Sequence, residues 1–137
     1  MTDAYDADVL IYAAVPEHPA GRRIKALFSA EAGSCAGVGS VLLLPEVLAK
    51  PMRDGDTNEL LVLGSLLSRL DLRPLDAVTA EVATSLAATH RLRAADAVHL
   101  ATAVVAGADR FITNNRRDFP TSISEIDVTY PEMLPSS

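Results

Sequence analysis

RAADAVHLATAVVAGADRFITNN, residues 93–115, contains a helix, a stop and a strand in succession. Val98, Leu100, Ala101, Val104 and Val105 follow Asp96 at helical spacing, so a helix is expected over residues 95–106. Gly107 closes it. DRFITN, residues 109–114, then reads as a strand that delivers Thr113, Asn114 and Asn115 to its carboxyl end. A helix feeding directly into an apolar strand is the repeating unit of an α/β fold.

The rest of the chain repeats this alternation. AYDADVLIYAAV, residues 4–15, contains a near-continuous apolar run, and residues 5–13 are expected to form the first, central strand. Pro16 and His18-Pro19 mark a loop. A helix is expected over 21–32, with Ile24, Leu27 and Phe28 on one face and Gly33 at its end. A brief strand follows at 34–39. Ser40 is a candidate cap for the helix SVLLLPEVLAK, residues 40–50, which Pro45 should kink or restart. A further helix is expected over 54–70 with Thr57 as its cap, then a strand from Leu72 to Leu75. Asp76 caps the next helix, and a last strand is expected near Ile126–Val128. The fold class is therefore α/β, with helices packed on a central, mainly parallel sheet.

At 137 residues the chain is read as one domain, 1–137, with enough length for a core. Hydrophobic residues make up 49% but aromatics only 4%, so Leu, Val, Ile and Ala must build that core. The net charge of −6 excludes non-specific attraction to nucleic acid, unless metal and local arginines offset it. Arg22, Arg23, Arg91, Arg93, Arg110, Arg116 and Arg117 form three local basic clusters. The single cysteine, Cys35, allows no internal disulfide and is expected to be buried. The opening MTDAYDADV has no signal-peptide character, and VLLLPEVL is too short to span a membrane, so a cytoplasmic location is expected.

The carboxylates carry the chemistry. Asp6 and Asp8, two apart on the expected strand, would point the same way; alternatively Asp8 turns inward and supports the loop. Burying an unpartnered carboxylate is costly, so this segment asks for a metal, an arginine or backbone donors. Glu46 interrupts LLLPEVL beside apolar neighbours. Asp96 either joins such a site or merely complements the helix dipole. His99, one turn on, shares its face and reads more readily as a packing residue than as a ligand. Oxygen donors without paired histidines or cysteines point to Mg²⁺ or Mn²⁺ rather than zinc. No residue stands out as a covalent nucleophile, so metal-activated water attacking phosphorus is the simplest mechanism.

YDADVLIYA, Glu46, LRAADAVHLATAVVAGADRFITNN and the following RRDF resemble the PIN-domain ribonucleases, and more narrowly the VapC-type toxins. The resemblance covers nearly the whole chain and is most specific from Leu92 to Phe119. It implies a PIN-like three-layer α/β/α domain with an acidic pocket at the carboxyl ends of the strands. It implies that Asp6, Glu46 and Asp96 bind Mg²⁺ or Mn²⁺, directly or through water, and hydrolyse structured RNA such as tRNA or rRNA. Asp8 would support Asp6 or add charge, and Thr113 would orient a carboxylate or water. The departure is Asn115, where many members carry an aspartate; Asp118 is the candidate fourth acid. Arg91, Arg93, Arg116 and Arg117 are candidate phosphate contacts. The resemblance further implies a homodimer and a VapB-type antitoxin, with DNA reached only through that partner. Two other readings compete: a PIN-like module that binds RNA or protein without cutting, and a small phosphatase like the haloacid dehalogenases. The second lacks its threonine, since Leu10 stands there.

Overall fold

The computed structural model of the protein describes residues 1–30 and 35–136. Five parallel strands form one sheet in the order β3-β2-β1-β4-β5. They are β1 (Asp3–Tyr5), β2 (Gly37–Ser40), β3 (Leu70–Arg73), β4 (Arg110–Ile112) and β5 (Asp127–Thr129). Among the described residues six α-helices connect them: α1 (Ala7–Ala14), α2 (Pro19–Ala30), α3 (Leu43–Asp54), α4 (Thr57–Ser68), α5 (Ala77–His90) and α6 (Ala94–Val105). The α/β class and the parallel sheet agree with the reading of the sequence.

Strand alternation builds two cores. Ala4 and Phe111 point to one face, where Leu86, Leu100, Ala101 and Ala103 of α5 and α6 cover them. Tyr5 and Ile112 point to the other, against Val9, Leu10, Ile24, Val47 and Leu63 of α1 to α4. The result is three layers. Arg110 donates from Nε and Nη2 to both carboxylate oxygens of Asp3, at 2.8 and 3.0 Å, pinning β4 to β1 beside their Asp3–Arg110 register.

The first strand is the main correction. Of the run expected as strand over 5–13 only Tyr5 is strand, the last residue of β1; Asp6 and the helix α1 take the rest. Asp6 is the hinge between β1 and α1: its backbone is extended and its Oδ1 accepts from the Ala7 N–H at 2.8 Å, a helix N-cap. Val9, Leu10 and Ala13 are fully buried at helical spacing, a periodicity that a short, uniformly apolar run hides. Asp6 and Asp8 therefore do not share a strand face.

Smaller shifts have local causes. Ser40 ends β2, and its Oγ accepts from Leu42 N, forming the turn before α3 rather than capping it. Pro45 sits in the first turn of α3, where its missing N–H costs nothing. Asp56, not Thr57, caps α4, accepting from Glu59 N at 3.1 Å, and residue 54 belongs to α3. The third strand covers 70–73 rather than 72–75, and the fourth is confined to 110–112. The Asp76 cap and the left-handed Gly107 stop stand as expected. Cys35 is exposed, not buried; its thiol donates to the Gly37 carbonyl. The expected Gly33 stop and the start of the strand at 34 fall outside the described residues.

Helices α1 and α2 cross so closely that a Cβ on Gly21 would stand 2.1 Å from the Tyr12 carbonyl oxygen. Gly21→Ala is expected to force the helices apart and cost roughly 1–3 kcal/mol. A urea melt reads this; an unchanged midpoint would show that the crossing is loose.

Candidate active site

The chain turns from one side of the sheet to the other between β1 and β4, which are neighbours far apart in sequence. In open parallel sheets the groove beyond the strand ends at such a switch point receives ligands. Asp6 follows β1 at that end and Thr113 follows β4. Each connecting helix leaves from a carboxyl end or returns to an amino end, so the starts of α1, α3 and α6 meet there. These starts carry Asp6 and Asp8, Glu46, and Asp96 respectively.

Asp6 is 6% exposed and held on both oxygens. Besides its cap to Ala7, Oδ2 accepts from the Thr113 hydroxyl at 2.7 Å. Thr113 is fully buried and in turn accepts from the Asn115 N–H at 3.0 Å. Burial pushes the Asp6 carboxyl above its ordinary value, while the Thr113 hydrogen bond pulls it back.

Asp8 does what the alternative reading described: Oδ2 accepts from Asn114 N at 3.0 Å and ties α1 to the loop after β4. Its other oxygen, Oδ1, is buried without a partner. Burial, then the Asp6 charge, push the Asp8 carboxyl up to about 7. Burial also raises Asp96, followed by the charges of Asp6 and Asp118. No described donor bonds the Asp96 carboxylate, and α6 has no side-chain cap.

Glu46 is partly exposed, but its Oε1 accepts from His99 Nε2 at 2.6 Å. His99 is 2% exposed. This contact was not read from the sequence; the available signal was the shared face of Asp96 and His99 on α6. Asn115 turns toward Asp118: Nδ2 donates to Asp118 Oδ2 at 3.0 Å, and Oδ1 accepts from Asp118 N. Arg91, Arg93, Arg116 and Arg117 are all exposed. Arg116 is already engaged, paired with Glu132 and lying 4.6 Å over the Tyr130 ring. Arg91 ends α5 in a left-handed conformation and Arg93 precedes α6.

The donor set suits a hard divalent cation in its chemistry. All the acids offer oxygen, they repel one another, and one carboxylate oxygen is buried unsatisfied. They are not assembled into a ready ligand shell: among the described residues no three His, Cys, Asp or Glu side chains converge to hold an ion. An ion would have to draw the carboxylates together or reach some of them through water.

The PIN domain family matches residues 5–121, and the chain belongs to it. That membership removes the haloacid dehalogenase alternative. Among solved structures, a toxin–antitoxin complex from Klebsiella pneumoniae matches with 24% identity and a TM-score of 0.73, over 96% of this chain and 98% of that one. VapBC2 from Rickettsia felis, bound to a promoter DNA fragment, matches at 18% identity and TM-score 0.72, over 95% and 98%. DNA-bound VapBC from Salmonella typhimurium matches at 19% and 0.75, over 96% and 98%. At these identities the likeness is one of fold. No curated protein matches the chain. Among the described residues no helix is long and apolar enough to cross a membrane.

Proposed function

We propose that this protein is a Mg²⁺- or Mn²⁺-dependent endoribonuclease and the toxin of a VapBC-type toxin–antitoxin pair. The observation that carries the reading is the crowding of Asp6, Asp8 and Asp96, all held above ordinary carboxylate values, at the switch point of a PIN sheet. Carboxyls so placed are costly to the apo protein and become an asset only with a cation.

In this reading Asp6, Glu46 and Asp96 hold the ion, with Asp118 and Asn115 at its margin. The bound ion would polarise the scissile phosphodiester and activate the attacking water. Thr113 fixes Asp6 by its hydroxyl, and Asp8 fixes the Asn114–Asn115 loop. Arg91, Arg93 and Arg117 reach RNA phosphates, whereas Arg116 must first leave Glu132. The whole chain, 1–137, acts as one PIN domain, as a homodimer in the cytoplasm. It is held inactive by a VapB-type antitoxin, through which alone it meets DNA. The similar fold of two DNA-bound VapBC assemblies supports this partnership.

The competing reading is a PIN-like module that binds RNA or protein without cutting. The absence of a ready ligand trio among the described residues, and the use of Asn115 on Asp118, favour it. Purified protein mixed with total RNA decides between them. Discrete cuts with Mg²⁺ or Mn²⁺, abolished by EDTA, are expected and would also identify the target. Retention of intact RNA with no cut in either metal would sink the nuclease reading and favour the binding one.

A further inference from the structure

His99 is the sixth residue of α6, buried inside the protein, yet it touches an acid on another helix. Its Nε2 stands 2.6 Å from Oε1 of Glu46, fifty-three residues earlier in the chain. The Glu46 side chain is 37% exposed and the His99 side chain 1% exposed. Nothing else among the described residues bonds the Glu46 carboxylate. An ionised carboxylate only accepts, so Nε2 must be the donor.

The other ring nitrogen, Nδ1, is buried with no partner. An imidazole with one nitrogen unsatisfied is a poor choice for packing, because an apolar side chain would fill the space without that cost. Asp96, one turn before His99, feels both the imidazole and the Glu46 charge. Helix α6 thus carries one acid of the candidate site directly and grips a second through His99.

Resting on the metal-dependent reading above, we infer that His99 is a positioning residue: its Nε2–H fixes the Glu46 carboxylate beside Asp96, so that α6 sets the spacing of both acids. His99 itself stays outside the chemistry.

The geometry gives a specific test with the full-length protein. The amide nitrogen of glutamine can stand near the place of Nε2; that of asparagine stands nearer Nδ1. Mn²⁺ binding to metal-free protein is measured by calorimetry for wild type, His99→Leu, His99→Gln and His99→Asn, alongside metal-free melts and RNA cleavage. His99→Leu and His99→Asn are expected to weaken Mn²⁺ binding about tenfold, as loss of an outer hydrogen bond to a ligand does. His99→Gln restores most of it. His99→Leu should melt, metal-free, no lower than wild type. In a Glu46→Gln background His99→Leu should cause no further loss, since the two act through one contact. Unchanged binding in His99→Leu, a loss that persists in that background, or rescue by Asn and not Gln overturns the inference. If His99→Leu does not fold, the Gln and Asn pair still decides. A wild type that binds no Mn²⁺ overturns the metal reading and this inference together; a wild type that binds, with His99→Leu its equal, overturns this inference alone.

Discussion

Asp6→Asn is expected to reduce RNA cleavage by on the order of 10²–10³-fold while leaving the fold in place. Asparagine caps a helix about as well as aspartate, so the turn from β1 into α1 survives. Its oxygen can still take the Ala7 N–H. Its nitrogen then faces Thr113, whose hydroxyl must accept instead of donate; the hydroxyl oxygen already accepts from Asn115 and has capacity for a second donor. The buried Thr113 hydroxyl loses its acceptor while one costly buried charge is removed; the two effects oppose each other, so stability should change by no more than about 1–2 kcal/mol. A large loss of activity with an unmoved melt therefore isolates the charge. Cutting equal to wild type would mean that Asp6 is only a cap and that the mechanism proposed here is wrong.

The second large effect is on the metal-free protein. Asp8 is raised to about 7, whereas in the unfolded chain an aspartate titrates near 3.9. Below about pH 4 both states are protonated and the folded protein bears no penalty. Between about pH 4 and 7 the unfolded chain releases a proton that the folded one retains, so stability falls as pH rises. Above about 7 the full cost is present. Asp6 and Asp96 are shifted in the same direction and add to the slope. For Asp8 alone the loss is about 2–4 kcal/mol, the upper figure discounted for its partial contact with solvent. Melts in EDTA from pH 4 to 8 should show a steady decline. Asp8→Asn should flatten it: equal to wild type at pH 4, more stable at pH 8. Its amide oxygen can still accept from Asn114 N. Saturating Mn²⁺ should recover stability at pH 8 by mass action. A wild-type melt that does not vary over this range would mean that the carboxylates are better solvated than their burial implies.

How much of this was legible in the sequence depends on distance along the chain. α5 and α6 were readable because each carries local punctuation, Asp76 at one start and Gly107 at one end, and a long apolar period between. The parallel sheet followed from the alternation of such units. The opening segment was misread because VLIYAA is apolar throughout, and a run of that length fits strand and helix alike. Only the cap geometry of Asp6 separates them. Thr57 and Asp56 are adjacent candidates for one cap, and local composition does not rank them. The acids themselves were picked out by their apolar surroundings. Their links were not: Glu46 to His99 spans two helices, and Asp8 to the Asn114 backbone joins opposite ends of the chain. No periodicity encodes such pairs.

The placement of β1 also bears on synthesis. The middle strand of the sheet is made from the third to fifth residues, and both its neighbours come later, one of them at Arg110–Ile112. The Asp6–Thr113 hydrogen bond closes a separation of 107 residues. A nascent chain on the ribosome therefore carries Asp6 and Asp8 well before it can build the pocket around them, which waits for β4 and Thr113. Whatever chemistry the pocket performs, topology alone withholds it from a chain that has not yet reached Thr113.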